Sequence, residues 1–152
     1  MITVRKISVG EAESRPEFPA LRVEYTAECA VAGLPAPAEK LETYYFIQKS
    51  GMLQAFGAFD QDDTFVGFVV VLTPVIPHYG VAISVIESLF VASSKRRKTG
   101  AGLRLLRAAE AHAREAGSPA LAVSAPTGGR LMRILPRLGY RETNRSYVKG
   151  VR

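Results

Sequence analysis

From Thr3 to Val9 polar and apolar side chains alternate with period two, the pattern of a strand with one face on a core. Pro16 and Pro19 then mark a loop. Leu21, Tyr25, Cys29 and Ala32 recur close to helical spacing, and Gly33, Pro35 and Pro37 close that helix. Ala38 to Lys49 forms a second helix, with Leu41, Tyr44, Tyr45 and Gln48 near one face. Leu53–Phe59 and Phe65–Leu72 read as two strands of a hairpin around Gln61-Asp62-Asp63. Pro74 and Pro77 end the hairpin, and a Pro77-His78-Tyr79-Gly80 loop follows.

Ile83 to Val91 is a strand by length and by its Val, Ile and Phe content. A short basic loop, Ser93 to Lys98, separates it from a helix over Gly100–Ala116. The expected buried stripe of that helix is Leu103, Leu106, Ala109, Ala113 and Ala116. Gly117 stops the helix, and Ala120 to Ala125 is a short strand. Leu131 to Leu138 is a shorter helix whose last turn Pro136 must distort. Tyr140-Arg141 and Arg145 to Lys149 read as a terminal strand or hairpin. The order β-α-α-β-β-β-α-β-α-β describes an α/β (α+β) domain with antiparallel strands first and one parallel crossover.

The 152 residues fit a single domain, 1–152, large enough to bury roughly 70% of the surface its unfolded chain exposes. A 47% hydrophobic and 22% charged composition excludes wholesale disorder. One cysteine, Cys29, excludes an intramolecular disulfide and a cysteine-based zinc cage, and no metal-ligating set stands out. Cys29 lies on the apolar stripe and is expected in the core. The longest apolar stretch, Phe65 to Ile76, is too short to span a bilayer of ~30 Å. The first residues carry charges and no apolar run, so a cytoplasmic protein without a membrane segment is expected. The net charge of +6 is unevenly placed: residues 1–92 carry −5 and residues 93–152 carry +11. The second part should therefore meet something anionic.

The sharpest cationic cluster is Arg96-Arg97-Lys98, followed by Thr99-Gly100-Ala101-Gly102, between the strand and the helix. Helix N-termini leave backbone N–H groups unpaired and carry partial positive charge. Two glycines allow close approach of a bound group, so the loop suits a phosphate better than a plain helix cap does. The alternative is a solvated basic loop with a capping glycine. A Gly-x-x-x-x-Gly-Lys-Ser/Thr loop is absent, and a Gly-x-Gly-x-x-Gly reading from Gly100 would place its third glycine at Leu105.

The run Ile86-Glu87-Ser88-Leu89-Phe90-Val91, then Arg97-x-x-Gly100-x-Gly102 and a helix, resembles the acetyl-CoA signature of the GCN5-related N-acetyltransferase (GNAT) superfamily. Leu138-Gly139-Tyr140 is similar to a Leu-Gly-Phe-like turn common near the end of these proteins. The resemblance covers the chain in element order and is strongest over residues 83–117. It implies a mixed, mostly antiparallel central sheet flanked by helices. It also implies acetyl-CoA (coenzyme A) as cofactor and a primary amine of a small molecule, peptide or protein as acceptor. Backbone groups of Leu89, Phe90 and Val91 would pair with the pantetheine arm. Amides from Arg97 to Gly102, including Lys98, Thr99, Gly100 and Ala101, would hold the pyrophosphate, and the side chains of Arg96, Arg97 and Lys98 would add charge. A homodimer is a further expectation, since dimers are common in the family.

Glu87 is the only acidic residue between Asp63 and Glu110, and it interrupts an apolar strand. In many relatives a glutamate here is the general base, so Glu87 is the catalytic candidate against a surface role. Strict alternation would place it on one face with Leu89 and Val91. The position that often carries a tyrosine acid is Leu135, so the proton donor to sulfur is open among Ser124, Tyr140, Tyr147 and water. Tyr44, His78, Tyr79 and Ser124 are candidate acceptor contacts, with core or loop packing as the alternative. His112 reads as a helix-surface residue. Two rival functions remain: a coenzyme-binding domain of this fold without catalysis, and a nucleic-acid-binding module. Against the latter, only Arg96–Lys98 cluster, while the other cations are scattered.

Overall fold

The computed structural model describes residues 1–35 and 41–151. The expected closing Pro37 and the expected helix start at Ala38 lie outside those residues. The elements are β1 (Thr3–Ile7), α1 (Val9–Ser14), α2 (Phe18–Cys29), α3 (Leu41–Lys49), β2 (Leu53–Phe59), β3 (Phe65–Leu72), β4 (Val75–Ile76), β5 (Val81–Ala82), β6 (Ser84–Val91), α4 (Ala101–Glu115), β7 (Leu121–Val123) and α5 (Arg130–Ile134), which runs into a 3₁₀ turn at Leu135–Leu138.

The sheet order is β1-β2-β3-β6-β7, with antiparallel pairs except for the parallel β6–β7 pair. It is mixed and mostly antiparallel, as expected. β3 reads as an almost unbroken apolar run because both of its faces are covered. On one face Val66, Val69 and Val71 pack with Leu105 and Ala109 of α4. On the other Phe65 and Val70 pack with Val9, Leu21 and Phe90 beneath α1–α3.

Several expectations are corrected. α1 is an added helix turn, started by Ser8 Oγ accepting from the Glu11 amide. Pro19 opens α2 rather than lying in a loop, because a first-turn proline gives up an N–H with no helical partner anyway. α2 ends at Cys29, three residues before Ala32, and Cys29 is exposed rather than in the core. In α4 Leu106 is buried as expected and Leu105 is buried too, while Leu103 is 37% exposed and Ala116 is exposed. The i, i+4 row Ala101, Leu105, Ala109, Ala113 faces the sheet. His112 is half-buried edge-on to Phe56, and burial lowers its pKa.

The terminal strand does not form among the described residues: no strand follows β7, and Arg141 to Val151 are exposed. Tyr147 and Val148 are neighbours, so as a strand they would point to opposite faces and give no apolar side to bury.

β3 and β6 approach closely at Gly67, where a Cβ atom would lie 2.5 Å from the Phe90 carbonyl oxygen and 3.0 Å from Val91 Cα. Gly67→Ala should therefore force these two central strands apart and cost about 1–3 kcal/mol. Urea unfolding should show a lower midpoint at unchanged slope. A midpoint equal to the wild type's would mean that the strands are not this close.

Candidate functional site

The site is built on β6. Its pairing with β3 runs Val71↔Ile86 and then Val70↔Ser88, so Glu87 is an extra residue opposite no partner, a β-bulge. The bulge breaks strict alternation. Ile86, Leu89 and Val91 pack on the α4 side, while Phe90 packs under α1–α3. Glu87 reaches that second side too, because Tyr44 Oη on α3 donates to Glu87 Oε1 at 2.7 Å. The expected grouping of Glu87 with Leu89 and Val91 is thus overturned. The extra residue turns the carboxylate to the opposite face, where it is exposed.

On its other side β6 pairs with β7 only through Ser84↔Leu121, Val85↔Ala122 and Ile86↔Val123. Beyond Ile86 this edge is open. The Ala92 amide bonds back to the Val66 carbonyl, so alternation turns the backbone groups of Leu89 and Val91 toward the open edge and those of Phe90 toward β3. The Val91 carbonyl already accepts from Arg96 Nε at 2.5 Å. Among the described residues, Leu89 therefore has both groups unpaired, and Val91 its N–H. Phe90 does not face the edge with its backbone.

The loop after β6 is stapled by acids from the first half of the chain. The Ser93 amide donates to Glu24 Oε2 at 3.0 Å, and Arg96 Nη2 lies 2.6 Å from Glu28 Oε1. Glu24 and Glu28 are one turn apart on α2. Lys95 Nζ lies 3.0 Å from Asp60 Oδ2. Arg96 also lies over the Phe90 ring at 4.9 Å, so its guanidinium is occupied within the fold. Arg97 and Lys98 are exposed and have no ion pair among the described residues.

Thr99 Oγ1 donates to the Lys95 carbonyl and accepts from the Ala101 amide, which fixes the entry into α4. Gly100 sits at φ +67°, where a Cβ would be strained but would meet nothing within 4 Å. The amides of Arg97, Gly100 and Gly102 have no partner within the chain among the described residues. These donors stand at the N-terminal end of α4, a fifteen-residue helix.

Around Glu87 the structure gathers two residues that the sequence reading did not assign to the site. Tyr25 lies edge-on to Phe68 and Phe90 at 5.6 and 5.8 Å. Burial, with Glu87 and Cys29 close by, pushes its pKa up. The thiol of the exposed Cys29 is also pushed up, chiefly by partial loss of water around it. Tyr25 and Cys29 are four residues apart on a helix, a spacing that was visible; their turn toward β6 was not. The Tyr44 hydroxyl is held protonated well above its usual range by burial and by Glu87.

Other candidates lie elsewhere. His78 and Tyr79 form the turn between β4 and β5, stacked on each other edge-on at 4.9 Å, with no hydrogen bond to Glu87 or Tyr44. Ser124 is exposed just past β7. Tyr45 turns away to Glu13. Tyr140 Oη donates to Glu110 Oε1 at 2.7 Å, and burial raises its pKa. Tyr147 is 89% exposed, and Leu135 is buried. Among the described residues no helix is long and apolar enough to cross a membrane, and no group of three or more His, Cys, Asp or Glu could hold a metal ion.

The acetyltransferase (GNAT) family model matches residues 18–140. No curated protein sequence matches. Solved structures do. A ribosomal-protein-alanine N-acetyltransferase from Brucella melitensis biovar Abortus 2308 is 19% identical at TM-score 0.72, covering 98% of both chains. AAC(6')-Iy in complex with the bisubstrate analogue CoA-S-monomethyl-acetylneamine is 20% identical at TM-score 0.74, covering 100% of this chain and 99% of that one. Glucosamine-6-phosphate N-acetyltransferase from Arabidopsis thaliana is 13% identical at TM-score 0.72, covering 98% and 97%. At these identities the likeness shows the fold.

The Lys95 staple gives a pH test. The Asp60 carboxyl is lowered from 3.8 to about 2, chiefly by Lys95; burial opposes this, and the Thr64 and Asp62 amides lower it further. A carboxyl lowered on folding stabilises the fold above its unfolded pKa, and that stability is lost as pH falls through the folded value. Asp60→Asn should therefore unfold more easily than the wild type at neutral pH. The gap in urea midpoints should close between pH about 4 and about 2. A gap constant across that range would mean that Asp60 is not paired in solution.

Proposed function

The chain belongs to the GNAT acetyltransferase family, and from that premise we propose that it moves an acetyl group from acetyl-CoA to a primary amine by direct attack in a ternary complex. The observation that carries this reading is the open β6 edge, with Glu87 at its bulge and unpaired amides where the edge runs into α4. The residues fit the cofactor. Leu89, and Val91 through its N–H, offer strand-like pairing to an extended pantetheine arm. The amides of Arg97, Gly100 and Gly102 suit a diphosphate, and exposed Arg97 and Lys98 suit a further phosphate. Arg96 holds the loop shape through Glu28 and the Val91 carbonyl. Bound acetyl-CoA supplies an activated acetyl thioester.

Glu87 acts as general base, directly or through one water. It takes the proton that the amine gives up as its nitrogen bonds to the acetyl carbon and the carbon–sulfur bond breaks. Tyr44, kept protonated, holds the carboxylate at the bulge through its 2.7 Å bond. The departing sulfur takes its proton from water, since Leu135 has no hydroxyl and Tyr140 donates to Glu110. That missing hydroxyl also favours a second reading, a coenzyme-binding domain with little turnover.

Calorimetry should show acetyl-CoA binding. Glu87→Gln should lower kcat by about 10²–10⁴-fold and leave the acetyl-CoA Kd nearly unchanged. Binding without turnover across an amine panel would select the second reading. No binding at millimolar cofactor would remove both readings, and full activity in Glu87→Gln would take Glu87 out of the base role.

A further inference from the structure

Between α1–α3 and the sheet lies a cavity of about 80 Å³. Ile7, Val9, Ala12, Phe68 and Val70 form an apolar wall, and Tyr44 and Ser88, both beside Glu87, are part of the lining. Among the described lining residues Arg22 is the one charged side chain and none is a carboxylate. Protein interiors seldom leave a void larger than a water molecule. This space is partly open to solvent, so its apolar lining is accessible beside Tyr44 and Ser88 rather than sealed in the core. A dry apolar cavity of roughly 150 Å³ takes benzene, so this one takes about three carbons, with the carbon that bears the amine and its neighbour left at the mouth.

We infer that this cavity is the side-chain subsite of the acceptor, and that the acceptor is a monoamine bearing a short branched aliphatic group of about three to five carbons. The inference rests on the acetyltransferase reading and names the substrate class of that site. The amino group stays at the mouth, within reach of Glu87, while the hydrocarbon branch enters the wall of Val9, Phe68 and Val70. Moving such a branch from water into an apolar space is favourable by itself. A polyamine or an aminoglycoside placed here would strip water from further ammonium and hydroxyl groups, with no carboxylate among the described lining residues to meet them. The acidic balance of residues 1–92 points toward polycations, but part of that acid is spent on the loop: Glu24, Glu28 and Asp60 face Ser93, Arg96 and Lys95.

The test is kcat/KM for acetylation of ethylamine, propylamine, isobutylamine and isoamylamine, beside spermidine and kanamycin. Direct binding of isoamylamine is followed by NMR. Each added carbon should raise kcat/KM about fourfold, with spermidine and kanamycin below isobutylamine. Val70→Phe fills the cavity from β3 and Ala12→Leu fills it from α1, so one remains if the other fails to fold. Either should flatten the carbon dependence and abolish saturable isoamylamine binding. Transfer that is flat along the series, or that favours spermidine or kanamycin, overturns the inference and leaves the acetyltransferase reading standing. Saturable binding that the filling variants abolish, without transfer to any amine, keeps the subsite and removes the reaction. Neither binding nor transfer overturns both.

Discussion

β6 is hydrogen-bonded on both sides only as far as Ile86. From there one edge is open, and a strand with unpaired N–H and C=O groups is a template for another extended chain. The bulge at Glu87 comes immediately after the last β7 pair, so the same short segment that opens the sheet also turns a carboxylate onto the α1–α3 face. After Val91 the chain enters a loop that carries the unpaired amides of Arg97, Gly100 and Gly102 to the start of α4. Edge, carboxylate and anion-binding amides are in register because all belong to one stretch of backbone from Ile86 to Gly102. The rest of the fold keeps that stretch rigid.

Rigidity comes from both faces. Leu105 and Ala109 press β3 and β6 from the α4 side, while Leu21 and Val9 press from the other. The start of β6 is tied down by the Ser84 amide donating to Ser118 Oγ at 2.8 Å and by Ser84 Oγ beside Thr73 Oγ1. The loop is tied by Glu24, Glu28 and Asp60. Each exposed pair contributes little alone. Together they consume Lys95 and Arg96 and leave Arg97 and Lys98 facing solvent. The basic cluster is thus half scaffold and half available charge, which the sequence alone could not divide.

Much of the architecture was legible. Strand composition placed β2, β3 and β6 within a residue, and the Arg97-x-x-Gly100-x-Gly102 run placed the start of α4. Local pattern failed where a neighbour decides the outcome. Alternation put Glu87 with Leu89 and Val91; one extra residue against β3 reversed it, and nothing in the order of side chains announces a bulge. Cys29 sits on an apolar stripe in the sequence but at the last residue of α2, where it is exposed. Arg145 to Lys149 looked like a strand and found no partner among the described residues. Tyr44 was visible as a candidate, but its bond to Glu87 spans 43 residues and depends on the register of α3 over the sheet.

The central claim is that coenzyme A completes the open edge of β6. Amide hydrogen exchange of the full chain, with and without coenzyme A, measures this residue by residue. The Phe90 amide, bonded to β3, should be protected in both states. The amides of Leu89 and Val91 should exchange quickly in the free protein and become protected on binding, together with those of Arg97, Gly100 and Gly102. Binding that leaves Leu89 and Val91 unprotected would contradict the claim.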